Sequence, residues 1–431
     1  MKLGKIIIDI LKDEVVPAMG CTEPVAVAFA CGKAKEIYDG DDKNIEKIEV
    51  LVSPNIYKNG LGVGVPNTKE IGLDIAGALG LIIGNGDKGL EILENVTEKH
   101  IVAAHTLMES NRFDVSIKDT IEKVFIEVNI KSKNQDIKLI IKNKHNEINY
   151  IEKNSKILYE KEGNVKSSST KDFSYIQKHR IRDIIREIEN MDSEDLEFLL
   201  DGLVMNSKIA KRGLEEKLGI GVGYKYKEMM QKAIISNDIF NSAMVLTAAG
   251  ADARMSGINM PVMSSNGSGN NGLTAILPIV AYNNKFPQKK EKLVKALAIS
   301  HIINCYIKGH IGRLSALCGC GVAAGTGASV AITWLMGGNY DQIDGAIKNM
   351  IANVSGMICD GAKGSCALKV STSASVAIQS AFLSMNDAIA PEKNGIISET
   401  SEETIKNLGL LSTDGMDKTD GVILNIMQNM A

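Results

Sequence analysis

Two short segments hold most of the residues that could do chemistry. Gly309–Ala331, GHIGRLSALCGCGVAAGTGASVA, carries Cys318 and Cys320 as a Cys-Gly-Cys pair. Gly356–Val370, GMICDGAKGSCALKV, carries Cys359 and Cys366 with six residues between them. Glycines beside the thiols permit tight turns and let backbone amides approach a bound sulfur. Soft thiolates favour iron–sulfur clusters, zinc or copper(I) over magnesium or calcium. The competing reading is that these cysteines are small buried apolar residues in close helix packing. For Cys305, inside HIINCYI, that packing reading is the better one.

The segment from Gly257 to Pro278 is polar but uncharged at its centre: Ser264, Ser265, Asn266, Gly267, Ser268, Gly269, Asn270, Asn271, Gly272. Such a run can form a nest of amides around a carboxylate. It matches neither a Walker loop nor a dinucleotide fingerprint. A linker would share the composition, but apolar helical segments crowd it on both sides, which favours a ligand.

His310 and Arg313 precede the Cys-Gly-Cys at a helical spacing of three. Arg313 could clamp a carboxylate bidentately and His310 could move a proton. An arginine paired with a structural carboxylate is the plainer alternative. Asp360 and Lys363, between the second pair of cysteines, read as substrate or supporting groups, or as an exposed ion pair. Near the N-terminus, Met19-Gly20-Cys21-Thr22-Glu23-Pro24 is a compact turn at a helix entrance. There Thr22 could cap, Pro24 suits the first turn, and the helix dipole lowers a thiol pKa. Cys21 is thereby a candidate acid/base, with Glu23 a cap or a substrate contact. Asn55 and Asn59, in SPNIYKNG, could reach a pocket at a domain junction.

These residues need a scaffold. Residues 3 to 16 read as an amphipathic helix, followed by a second helix from Thr22. IEKIEVLVSP alternates like a strand, NIYKNGLGVGVPNTK reads as a loop, and GLDIAGALGLIIG as an apolar helix. Strands are expected at 121–130, 136–142, 147–151 and 156–160, forming an antiparallel sheet with one wet face. KEGNVKSSSTKD, 161–172, reads as a boundary loop, and helices dominate beyond it. The fold class expected is α+β. N-terminal helices over 1–40 pack with the catalytic domain, a small α/β domain covers 41–165, and a helical catalytic domain covers 166–431.

The 431 residues carry 49 basic and 52 acidic side chains, a formal charge of −3, which gives no electrostatic reason to expect nucleic acid as partner. The apolar N-terminus is interrupted by Asp9, Asp13 and Glu14, so a cytoplasmic chain is expected. The stretch Leu314–Tyr340 has no charged residue and is long enough to span a bilayer, yet its glycines suit a close-packed buried helix better. Seven widely spaced cysteines argue against a disulfide scaffold. A homodimer is the default for such an enzyme.

Taken together, MGCTEP, SPNIYKNG, NMPVMSSNGSGNNG, GHIGRLSALCGCG and GMICDGAKGSCALK resemble the L-cysteine desulfidase family, itself related to the alpha part of iron–sulfur L-serine dehydratases. The resemblance covers nearly the whole chain. It implies conversion of L-cysteine and water to pyruvate, hydrogen sulfide and ammonia on a [4Fe-4S] cluster, without pyridoxal phosphate. It also implies three cysteine ligands and one open iron. Cys359 and Cys366 match two ligands. The third is Cys320, because Gly325 then takes the place of a glycine that follows the related ligand, or Cys318, whose distance to Cys359 matches more closely. The spacing between Cys359 and Cys366 is shorter than in the serine enzymes. By the same resemblance Cys21 is the first acid/base candidate and His310 the second, while the Ser/Asn loop and Arg313 hold carboxylate and ammonium. Elimination from L-serine and a non-catalytic iron–sulfur sensor are the competing functions.

Overall fold

The computed structural model describes residues 3–20, 22–161, 173–312 and 315–430. Its architecture is α+β: a small sheet unit near the N-terminus and a larger helical unit. The chain opens with α1 (Leu3–Glu14), β1 (Pro17–Met19) and α2 (Thr22–Ile37). The smaller unit continues through β2 (Ile45–Val52), α3 (Pro54–Gly60), α4 (Leu73–Ile83), α5 (Glu98–Glu109) and β3 (Phe113–Ile117). It closes with β4 (Phe125–Ser132), β5 (Asp136–Lys142), β6 (Ile148–Lys153) and β7 (Lys156–Glu160).

Strand order is β3-β2-β4-β5-β6-β7. Val50 of β2 lies between Val115 of β3 and Val128 of β4, so β-branched side chains stack across the buried face. The β2–β3 pair is parallel, whereas an all-antiparallel sheet was expected. A parallel pair needs a long crossover, and residues 53–112 supply it with three helices. The first of these, α3, falls where a loop was expected. Ser53 caps it, accepting from the Ile56 amide at 3.4 Å, and Pro54 occupies the first turn. The four expected strands form, the first of them beginning at Phe125 instead of 121.

The larger unit contains α6 (Ile181–Asn190), α7 (Leu200–Glu215), α8 (Val222–Gln231), α9 (Ile239–Met255), β8 (Pro261–Met263), α10 (Gly269–Lys285) and α11 (Lys290–Ile311). A π-helical turn, Cys320–Ala324, leads into α12 (Gly325–Leu335). Then come α13 (Tyr340–Val354), α14 (Cys366–Met385), α15 (Ser401–Thr413) and α16 (Thr419–Met430). The expected boundary loop at 161–172 lies, from 162 onward, outside the described residues.

Two large apolar cores organise the molecule, with a small cluster of Val63 and Met255 beside them. The larger joins Ile7, Ile10 and Leu11 of α1 to residues of the helices from α6 to α15. The smaller joins Val27 and Cys31 of α2 to Leu79 of α4 and to Val50, Val128 and Leu139 of the sheet. Thus α2, expected to pack with the helical domain, contributes its apolar side chains to the smaller core. Within the apolar stretch before Tyr340, Val330, Ala331 and Ile332 of α12 are fully buried in the larger core. One described helix, α14, is long and apolar enough to cross a membrane, and its Ala374, Ala377, Ile378 and Ala381 are buried in that same core.

Candidate functional site

The two cysteine segments cross. Leu317 and Ile358 form an antiparallel bridge, the Cys318 amide donates to the Met357 carbonyl at 2.8 Å, and the Cys359 amide donates to the Ala316 carbonyl at 2.7 Å. Side chains alternate along an extended strand, so Cys318 and Cys359 both point away from the face of the Leu317–Ile358 pair. Cys320 opens the π-helical turn and Cys366 opens α14. Single π turns inside helices recur at functional sites. The Cys366 thiol reaches the Gly361 carbonyl at 3.6 Å, and Gly361 holds φ at +93°, which glycine alone tolerates easily.

The four thiols share one electrostatic neighbourhood. A hydrogen bond with Cys320 lowers the Cys318 thiol to about 6 against the opposing pull of burial, helped by the Gly321 amide, Lys369 and Lys308. Cys320 is correspondingly pushed up by Cys318, by burial, and by the nearby Cys366 and Cys359. Burial raises Cys366, with Cys318 and Cys359 adding to it. Lys308 lies over Gly319, where an added Cβ would meet its ammonium nitrogen at 2.9 Å. Among the described residues, no three Cys, His, Asp or Glu side chains converge as ligands of one ion would. Soft thiolates suit iron–sulfur clusters, zinc or copper(I), so the all-sulfur donor set on these two crossing loops has the chemistry to hold an iron–sulfur cluster.

Asp360 sits between these loops and two lysines. Burial pushes its carboxyl up, but hydrogen bonds from Lys363 and Lys369 outweigh burial and hold it at about 2. Lys363 donates to it at 2.5 Å and to the Asp360 and Gly361 carbonyls at 3.0 and 3.3 Å. Lys363 thereby braces the loop that carries Cys359 and Cys366.

The polar loop joins this centre to the N-terminus. β1 and β8 pair antiparallel, with Pro17 opposite Met263 and Met19 opposite Pro261. The register continues as the Ser264 amide donates to Val16 at 2.9 Å and the Asn266 amide to Glu14 at 3.1 Å. Asn266 and Gly267 take φ of +55° and +72°, turning the loop back so that Ser265 and Ser268 bridge. Ser268 caps α10 and its hydroxyl lies 3.8 Å from the Cys320 sulfur. Ser264, Ser265, Asn266, Asn270 and Asn271 are all buried. Both amide atoms of Asn266 and the Asn271 Oδ1 are buried without a hydrogen-bond partner among the described residues. Leaving such groups unpaired is costly, which marks this loop as a place for a polar ligand.

Arg254, at the end of α9, donates to the Asn270 Oδ1 at 3.2 Å and to the Gly20 carbonyl at 3.0 Å. It therefore holds the turn before Cys21 against the polar loop. Cys21 itself and Arg313 lie outside the described residues. Thr22 and Glu23 open α2, with the Thr22 hydroxyl 3.5 Å from the Glu23 carboxylate. Asn55 stands in the first turn of α3, and among the described residues it makes no hydrogen bond to the thiols or the polar loop. His310 is placed with Tyr306, ring centres 5.5 Å apart, and with Gly409 of α15. Burial and nearby Lys406 lower its pKa. Residues 308 and 310 project to opposite sides of α11, so His310 faces away from the side on which Lys308 meets Gly319.

Besides Arg254, the residues that sequence reasoning missed lie on that same helix. His301, Asn304 and Lys308 follow at i, i+3 and i+7 along α11, a polar stripe on a buried helix. His301 Nδ1 and Asn304 Nδ2 each lie 2.9 Å from the Ser265 hydroxyl. The spacing was readable, but a stripe of three among apolar neighbours points to a ligand only once its surroundings are known.

The site thus sets four thiols beside a buried, amide-rich loop. The chain belongs to the serine dehydratase alpha chain family, whose model matches residues 87–425; that family is generally iron–sulfur dependent. Within it, the chain is similar over its length to UPF0597 proteins. The relative from Alkaliphilus oremlandii is 56% identical over 430 residues, covering 100% of this chain and 99% of its own. That from Clostridioides difficile is 52% identical over 425 residues, covering 98% and 99%. That from Clostridium tetani is 43% identical over 422 residues, covering 98% of each.

Proposed function

We propose that this chain is an L-cysteine desulfidase that converts L-cysteine and water to pyruvate, hydrogen sulfide and ammonia, independently of pyridoxal phosphate. The observation that carries the reading is the gathering of Cys318, Cys320, Cys359 and Cys366 beside a buried polar loop whose Ser268 reaches Cys320. Three of these thiolates, Cys359, Cys366 and one of the Cys-Gly-Cys pair, would hold a [4Fe-4S] cluster. When bound, that cluster supplies an open, Lewis-acidic iron that makes the β-substituent a better leaving group.

The chain's own residues do the rest. Lys308 and Lys369 place positive charge beside the thiolates. The Ser264–Asn271 loop and Arg313 bind and orient the amino acid, whose α-carbon proton is weakly acidic and needs its carboxylate held in a polar setting. Cys21, the residue after Gly20 in the chain, takes that proton, and the Cα–H electron pair expels sulfide from Cβ. The resulting aminoacrylate tautomerises and hydrolyses in water. Lys363 is engaged by Asp360, which supports a reading without a Schiff-base lysine.

The second reading is elimination of water from L-serine, favoured by the family description. Anaerobically reconstituted protein should contain iron and acid-labile sulfide and release pyruvate and sulfide from L-cysteine faster than pyruvate from L-serine. Serine preference moves the assignment to a dehydratase, and an intact cluster with no product from either makes it a sensor. Cys359→Ala and Cys366→Ala should lose iron, while Cys21→Ala should keep iron and lose turnover. Of Cys318→Ala and Cys320→Ala, the variant that keeps its iron identifies the spare thiol.

A further inference from the structure

The polar stripe on α11 carries more than packing. His301 is fully buried, and its Nδ1 lies 2.9 Å from the Ser265 hydroxyl while its Nε2 meets no partner among the described residues. Asn304, also fully buried, donates through Nδ2 to the same hydroxyl at 2.9 Å, and its Oδ1 meets no partner. One serine oxygen thus anchors two side chains one turn apart, and each leaves one polar atom unpaired.

The hydroxyl has a single hydrogen to give, and this couples the two. Because Asn304 donates to Ser265, the serine hydrogen goes to His301 Nδ1, the acceptor within reach of it among the described residues. The imidazole is then the Nε2–H tautomer, so Nε2 is a donor. The unpaired atom of Asn304 is an acceptor. Turning the amide over would make it accept from the serine, which would move the imidazole proton to Nδ1 and exchange both roles. In either arrangement the pair offers one donor and one acceptor. An amino acid brings one group of each kind: a carboxylate that only accepts and an ammonium that only donates.

We infer that His301 and Asn304 form a binding pair for the α-carboxylate and α-ammonium of a zwitterionic amino acid, with His301 Nε2–H on the carboxylate and Asn304 Oδ1 on the ammonium. The inference rests on, and deepens, the amino-acid reading of the same site. Ser265 sets the register: it bridges to Ser268, which reaches the Cys320 sulfur, so the pair lies one turn of backbone from the thiol centre. His301 is here a neutral hydrogen-bond donor, distinct from the proton-moving role given to Cys21.

The test uses the cluster-loaded protein and L-alanine, which has no leaving group, so binding is read without turnover. Calorimetry should give tighter binding of L-alanine than of propionate or ethylamine. His301→Leu should weaken L-alanine and propionate binding by roughly ten- to a hundredfold and spare ethylamine. Asn304→Leu should weaken L-alanine and ethylamine to a similar degree and spare propionate. His301→Gln, which keeps a donor, should recover part of the loss. Independently of any variant, nitrogen-15 spectra of the wild-type protein should show His301 protonated on Nε2, with that signal moving on saturation with L-alanine. L-Alanine binding within twofold of wild type in both leucine variants, an unmoved His301 signal, or no L-alanine binding at all overturns the inference. If L-alanine binds in this way but neither L-cysteine nor L-serine yields pyruvate, the inference stands and the proposed reaction falls.

Discussion

At the scale of single residues, the centre is built from groups whose ionisation the fold has displaced. Burial holds the His301 imidazole at about 3, against about 6.5 when exposed. Between those values the unfolded chain binds a proton that the folded chain refuses. The stability it confers is therefore fully present above about pH 6.5 and is lost as pH falls toward 3. The ceiling on that loss is about 5 kcal/mol. Urea midpoints measured from pH 7 to pH 4 should fall for the wild type and fall less for His301→Gln; equal slopes would show that His301 is not the group responsible. Asp360, held at about 2 by its lysines, loses its contribution only as pH falls from about 3.8 toward 2, below the pH 7 to pH 4 window of that measurement. The cysteines and the Ser/Asn run were legible in the sequence because glycine and unusual density of one side-chain type mark them. His301, Asn304 and Arg254 were not, because polar residues scattered among apolar ones along a helix do not by themselves point to a ligand. Only the three-dimensional approach of Ser265, or of Gly20, gives such a residue a meaning.

At the scale of elements, close helix crossings hold the frame on which those residues sit. An added Cβ on Gly80 of α4 would fall 2.1 Å from the Ala28 carbonyl of α2, and one on Gly213 of α7 the same distance from Ala249 of α9. Alanine favours a helix over glycine by about 1 kcal/mol, but backbone cannot retreat as a flexible side chain can. Gly80→Ala should therefore destabilise the protein by roughly 1–3 kcal/mol, read as a lower urea midpoint. Gly421→Ala in α16, where nothing lies within 4 Å, should be neutral or slightly stabilising. Equal effects at both positions would remove the crossing from the argument. Helices with strong apolar runs, such as α4 and α12, were readable from composition. The strand β3 and the helix α3 were not. For β3 the difficulty is that its pairing with β2 spans some sixty intervening residues, which no local pattern records. For α3 the Ser53-Pro54 start was present, but Lys58-Asn59-Gly60 reads as a turn and masks it.

At the scale of the whole molecule, two cores must be kept in register, because the site draws residues from segments adjoining both. The loop after α3 lies along the cysteine loop through the Gly62–Lys363 bridge, and the Gly64 amide donates to the Met255 carbonyl at 3.0 Å. An added Cβ on Gly361 would meet the Lys58 carbonyl at 2.0 Å, so α3 backs directly onto the segment between Cys359 and Cys366. The C-terminal helices span the same junction. Ile405 and Leu408 of α15 lie in the larger core, whereas Leu424 of α16 packs against the smaller one. Between them Asp420 pairs with Lys58 at 2.7 Å, and the Lys58 side chain is only 4% exposed. Removing one partner of a buried ion pair costs several kcal/mol because the other charge is left without compensation. Asp420 is 37% exposed, so water offsets part of that cost, and Asp420→Ala should destabilise the protein by about 1–3 kcal/mol. Replacing both residues, Lys58→Met with Asp420→Ala, removes the stranded ammonium and should recover most of the loss. Urea unfolding of the wild type, the single variant and the double variant decides the matter. If the double variant is no more stable than Asp420→Ala alone, the ammonium was not stranded, and packing of α16 on α3, not charge, ties the two cores together.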